Sequence, residues 1–280
     1  MKSYLLGIDI GTSACKVAVF DRNGKVLAAA SGDYPVYYPQ EGWAEQNPEE
    51  WWDAVCRASK ETIQKADIKP DEIAGIGIDG QSWSAIAIDK EGKVLTNTPI
   101  WMDTRAQSIC DRLNQEIGAE KIFEVAGNSL QPSYSTAKIL WYKENLPGVY
   151  AKIDKILQSN SYIAYKLTGV ISQDVSQGYG LHCFDMKKAC WDEEMCELLG
   201  IPMGFLPEIC DCDHVVGSVT AKAAVECGLS EGTPVVAGGL DAACGTLGAG
   251  VIHPGETQEQ GGQAGGMSIC MDAYKADPRL

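Results

Sequence analysis

A carboxylate stands inside an apolar, strand-forming run near the start of the chain. Tyr4 to Ile10 reads Tyr-Leu-Leu-Gly-Ile-Asp-Ile, with Asp9 close to its end. A carboxylate in such a strand is costly unless it is paired, hydrogen-bonded or close to a cation. The fold must therefore supply Asp9 with a partner, a hydrogen bond or a nearby cation. Gly11-Thr12-Ser13 turns the chain at once, and Lys16 to Phe20 is predicted as a second strand. Asn23-Gly24 signals a type I′ hairpin, and Lys25 to Ala30 is predicted as a third strand.

Further along, Asn47, Pro48, Glu49 and Glu50 supply a cap, a proline at the first helical position and acids matched to the helix dipole. Trp52, Val55, Cys56 and Ile63 then recur at helical spacing. Ile73 to Asp79 and Ser84 to Ile88 read as strands, with a turn over Asp89 to Gly92. Residues 105–199 read as short amphipathic helices divided by Gly and Pro. Thr233 to Ala237 reads as a buried strand broken by Gly238-Gly239, and Asp241 to Leu247 as a helix. Strands before and after helices make this an α/β chain.

Two carboxylates have the context of a site. Gly11 lets the backbone approach an anion, and Thr12 and Ser13 add hydroxyl donors. Residues 9–13 thus suit a phosphate-cradling hairpin with Asp9 beside Mg²⁺ or its waters; a tight turn capped by Asp9 uses the same residues. Asp241 follows a strand and two glycines among small neighbours. There it can take a proton from a substrate hydroxyl, or cap a helix.

Several other chemistries are excluded. Gly75-Ile76-Gly77-Ile78-Asp79-Gly80 matches G-x-G-x-x-G literally, but a strand rather than a helix follows it. No G-x-x-x-x-G-K-[ST], H-E-x-x-H or G-x-S-x-G occurs, and three histidines supply little for nucleophilic catalysis. Cys210-Asp211-Cys212-Asp213-His214 lacks the second ligand pair a zinc site needs. The 11 cysteines, odd in number and irregularly spaced, read as reduced thiols. A net charge of −15 argues against nucleic-acid or anionic-membrane binding. No signal peptide or bilayer span is evident, so a cytoplasmic protein is expected.

Five motifs occur in an order that resembles the FGGY carbohydrate kinases, most of all their xylulokinase-like branch. They are Gly7-Ile8-Asp9-Ile10-Gly11-Thr12-Ser13, Gly42-Trp43-Ala44-Glu45-Gln46, Gly80-Gln81, Trp101-x-Asp103-x-Arg105 and Gly238-Gly239-x-Asp241. The resemblance implies an α/β, actin-like (ribonuclease-H-like) ATPase domain with a mixed sheet and flanking helices. It implies ATP-dependent phosphorylation of a sugar hydroxyl, with D-xylulose as the leading acceptor and ATP and Mg²⁺ as cofactors. Asp241 would be the general base and Asp9 the residue that organises Mg²⁺. Gly11, Thr12, Ser13, Lys16, Gly262 and Gln263 would face the nucleotide; Gln81, Ser82, Trp83, Trp101 and Asp103 would line the sugar pocket. The expected partners are a sugar and ATP, with a homodimer allowed for and neither nucleic acid nor membrane.

The resemblance also implies a division into a sugar-binding domain over residues 1–250 and the opening of a nucleotide-binding domain over 251–280. The rest of that second domain is not in the sequence, so a fragment or a non-catalytic sugar-binding remnant is the alternative, and an actin-like ATPase a third. Two departures stand out. Gly80-Gln81-Ser82-Trp83-Ser84 replaces the usual Gly-Gln-Met-His-Gly, so an indole, which donates but cannot accept, stands in for an imidazole. Gly261 to Gly266 keeps the glycines of a second phosphate loop without its hydroxyls.

Overall fold

A computed structural model describes residues 3–260 and 266–279. Gly262 and Gln263, expected at the nucleotide, lie outside the described residues. The opening strands are β1 (Tyr4–Ile10), β2 (Ala14–Phe20) and β3 (Val26–Asp33), joined as antiparallel hairpins. The second turn differs from the expected type I′. Only Gly24 has positive φ (80°), Gly24 N–H donates to Asp21 O, and the register shifts between Val19 and Phe20. This is a type I turn closed by a left-handed glycine, and the Asp21 carboxylate favours it by accepting from the Asn23 and Lys25 N–H groups.

Helix α1 (Pro48–Ala66) begins as its sequence predicts, with the Asn47 side chain accepting from Glu49 N–H. It buries Trp51, Trp52, Val55 and Ile63 in one cluster with Ile8, Ile10, Val17 and Val19 of the sheet. Strand β4 (Ile73–Gly80) pairs parallel to β1. Gly75, Gly77 and Gly80 therefore lie inside a strand, which rules out a dinucleotide turn there.

Helices α2 (Ser135–Asn145) and α3 (Ser159–Thr168) follow, and the second of these packs on β4. After β5 (Val215–Ser218), α4 (Ala221–Cys227) packs against α1 and α3. Strands β6 (Pro234–Val236) and β7 (Gly239–Leu240) both add to β4, and α5 (Asp241–Gly248) starts directly from β7. The mixed sheet runs β5-β6-β4-β1-β2-β3, with β7 also on β4. A second apolar cluster, including Ile109, Leu113, Ile139, Leu140 and Leu199, forms a helical lobe beside it. The cysteines are free thiols, with Cys15, Cys56, Cys110, Cys183, Cys196 and Cys227 buried. Among the described residues no helix is long and apolar enough to cross a membrane.

Candidate active site

Three carboxylates meet at the ends of parallel strands. Asp9 on β1 lies in register with Asp79 on β4, and Asp79 is in register with Gly239 on β7, two residues before Asp241. Gly238 makes this approach possible. Its φ is 74°, and a Cβ would fall 1.7 Å from Ile78 O, which no side chain tolerates.

Asp241 is the first residue of α5, and its Oδ1 accepts from Ala242 N–H at 2.7 Å. The carboxylate thus makes the local helix-start contact and also faces its neighbours. Burial, with Asp9 adding to it, raises its pKa, and the Ala242 N–H opposes the shift. Leu240 N–H donates to Ser176 Oγ at 2.8 Å, and Ser176 in turn donates to the buried Asp174 at 2.6 Å. The backbone leading to Asp241 is therefore held from below.

Asp79 escaped the sequence reading. Its signal was the one that marked Asp9, a carboxylate in an apolar strand, but its glycine pattern was weighed against a dinucleotide motif and the carboxylate itself passed over. Burial, then Asp9 and Asp241, push its pKa up to about 8, against the pull of Lys16. Native Asp79 thus keeps a proton that the unfolded chain gives up near pH 4. The stability this group lends is full below that value and is lost as pH rises through about 8. Asp79→Asn is expected to raise the melting temperature, by more at about pH 9 than at about pH 5. Scanning fluorimetry in chelator checks this; an identical difference at both pH values would sink it.

The hairpin after Asp9 is braced from several elements. Tyr34 OH donates to Gly11 O at 2.6 Å, Gln46 Nε2 to Thr12 O at 2.8 Å and Trp101 Nε1 to Thr12 Oγ1 at 3.0 Å. Lys16 reaches back to Asp9 at 3.1 Å, and that bond holds its own pKa above the ordinary lysine value. Asp9 is partly exposed. Its hard oxygens suit Mg²⁺, which takes one or two protein carboxylates and completes its shell with phosphate and water. Among the described residues no three His, Cys, Asp or Glu side chains gather in metal-binding geometry, at Cys210 and Cys212 or elsewhere.

The expected sugar-pocket residues part company. Trp83 stacks on Tyr134 at 4.2 Å and meets Tyr179 edge-on at 5.9 Å, and desolvation first, then the charges of Tyr134 and Asp241, raise the pKa of the half-buried Tyr179. Ser82 is partly exposed beside Trp83. Gln81 is buried, with its amide N–H₂ on Gln46 and Gly11, so it supports the hairpin from beneath. Asp103 differs from expectation. It is fully buried, accepts from Ala44 N–H at 2.7 Å and from Arg105 Nε at 2.9–3.0 Å, and so fixes the segment carrying Trp101 instead of a sugar hydroxyl. His182, also fully buried, has its pKa lowered to about 4 by burial; Nε2–H donates to Ser129 O and Nδ1 accepts from Thr136, a structural role. Tyr134 and Tyr179 lay outside every motif, and only the fold brings them to Trp83.

Residues 4–248 match the model of the FGGY family of carbohydrate kinases, N-terminal domain. The chain belongs to that family. It is 33% identical over 254 residues to a xylulose kinase of Bacillus subtilis, covering 91% of this chain and 51% of that protein. It is 34% identical over 221 residues to a glycerol kinase of Thermococcus gammatolerans, covering 78% of this chain and 45% of that one. A solved xylulose kinase from Rhodospirillum rubrum superposes with a TM-score of 0.94 at 29% identity, over 99% of this chain and 57% of that one. The α/β domain thus has the actin-like fold of the FGGY kinases, and the chain spans about half the length of the curated relatives it matches.

Proposed function

We propose that this chain carries the acceptor site and the catalytic base of an ATP-dependent kinase acting on a sugar hydroxyl. The observation that supports this most is the convergence of Asp9 and Asp241, through Asp79, at adjoining strand ends beside the Trp83–Tyr134–Tyr179 cluster. Aromatic faces suit the C–H side of a sugar, and the polar groups at the strand ends suit its hydroxyls. Asp241 takes the proton of the attacking hydroxyl, and that oxygen bonds to the γ-phosphorus as ADP leaves. Thr12, Ser13 and the adjoining N–H groups orient the phosphates, with Lys16 and Asp9 beside them. Mg²⁺, held through Asp9, would neutralise charge on the transferring phosphoryl group.

A ketopentose such as D-xylulose is the leading acceptor. Residues 251–280 are read as the start of the nucleotide domain. The half-length match also supports a second reading, a sugar-binding piece without turnover of its own. The test is ADP release by the purified 280-residue chain with Mg-ATP and a panel of ketoses and polyols including D-xylulose and glycerol. Release above the water background supports the kinase, and sugar binding without release supports the second reading. Neither binding nor release would sink both.

A further inference from the structure

Lys138 is a fully buried cation that the proposed chemistry does not use. It lies on α2, and its ammonium donates to three backbone carbonyls: Ser133 at 2.5 Å, Trp83 at 2.8 Å and Ile100 at 2.9 Å. An ammonium has three donors, and all are spent. The three carbonyls belong to three separate segments. One carries Trp83, one precedes Trp101, and one precedes Tyr134, so a single side chain ties together the backbone beneath all three aromatic residues.

The segment between β4 and Ile86 has no strand partner for its carbonyls, and side chains take them in turn. Ser159 takes Gln81 O at 2.7 Å, Lys138 takes Trp83 O, Ser135 takes Ser84 O at 2.9 Å and Tyr142 takes Ala85 O at 2.9 Å. Three of these donors lie on α2. The segment is also strained: Trp83 has φ of 60°, a left-handed conformation that a bulky residue adopts only when its surroundings impose it. Its indole lies so close to Gly180 that a Cβ there would stand 2.7 Å from Cδ1. Burial lowers the pKa of Lys138 to about 7, with Asp103 opposing the shift, while the three carbonyls, which can only accept, favour the protonated form.

We infer that Lys138 is a positioning residue for acceptor recognition, holding Trp83 in its left-handed conformation and setting the Trp83–Tyr134 stack before any sugar arrives. This rests on the reading of that aromatic cluster as the acceptor pocket. The direct readout needs no turnover. The indole N–H resonance of Trp83, assigned among the seven tryptophans with Trp83→Phe, reports the stack in ¹H–¹⁵N spectra.

In Lys138→Met, which keeps the stem and removes the donors, that resonance is expected to move while the far-ultraviolet circular dichroism and the cooperative melt persist. The affinity for D-xylulose by calorimetry is expected to fall about tenfold or more. Lys138→Arg keeps the charge, but its broad head cannot meet three carbonyls from one point, and it serves if the Met variant does not fold. An unmoved Trp83 resonance in every folded variant overturns the assignment. So does a moved resonance with unchanged sugar affinity. Loss of folding in both variants assigns Lys138 to the stability of the lobe and overturns the positioning role. If the wild-type protein does not bind D-xylulose, the ketopentose reading alone fails, and the resonance decides the role of Lys138.

Discussion

Asp241→Asn is expected to lower the rate of sugar phosphorylation about 10²–10⁴-fold while leaving acceptor affinity near the wild-type value. The amide keeps the shape of the carboxylate and its contact with Ala242 N–H, but it cannot take a proton from a hydroxyl. Burial and the nearby Asp9 raise the carboxyl's pKa, which brings its basicity nearer to working pH. The run Asp174–Ser176–Leu240 N–H holds the helix start in place, so the substitution changes chemistry more than geometry. Paired measurements of ADP release and sugar binding check this. Turnover within a fewfold of wild type would remove Asp241 as the base.

Arg105→Met is expected to destabilise the fold by about 3–5 kcal/mol, which for a chain of this size lowers the melting temperature by on the order of 10 °C. The guanidinium bridges Asp103 and Glu45 at 2.8 Å each, with Arg105 3% and Asp103 0% exposed. Its central carbon sits 3.9 Å over the Trp43 ring and 4.9 Å from that of Trp141. Burial works against its charge, yet the hydrogen bonds it donates to Asp103 and Glu45 hold its pKa above the ordinary arginine value. Methionine fills the slot between the two rings but leaves the buried Asp103 carboxylate without its ion-pair partner. Adding Asp103→Asn should restore part of the loss, because the uncompensated charge goes with it. A single variant that melts within about 2 °C of wild type would mean that the ion pair contributes little.

The parts of this molecule that local chemistry decides were legible in the sequence. Pro48 after Asn47 started α1 where expected, and the carboxylate in the first strand marked the strand end where Asp79 and Asp241 also gather. The Asn23-Gly24 turn was placed correctly but given the wrong type, because the Asp21 side chain, outside the dipeptide, favours a different backbone path. Asp103 was expected in the pocket on the family resemblance alone. Its partner two positions away turned it inward, and no spacing rule tells a buried ion pair from a ligand pair. Lys138 carried no signal in the sequence, since two of the carbonyls it serves come from distant stretches of chain and only Ser133 lies near it. Tyr134 and Tyr179 carried no pattern at all, and they matter only because tertiary packing brings them to Trp83.

The bond from the Trp101 indole to the Thr12 hydroxyl has a thermodynamic consequence. It joins the wall expected to meet the acceptor to the turn expected to meet the nucleotide's phosphates. Free energy exchanged across such a contact is reciprocal: whatever the acceptor adds to nucleotide affinity, the nucleotide adds to acceptor affinity. An acceptor that moves the indole moves the Thr12 hydroxyl with it, so the turn that nucleotide meets would depend on whether the acceptor pocket is filled. Selectivity against wasteful hydrolysis would then begin in the ground state, before any phosphoryl group moves.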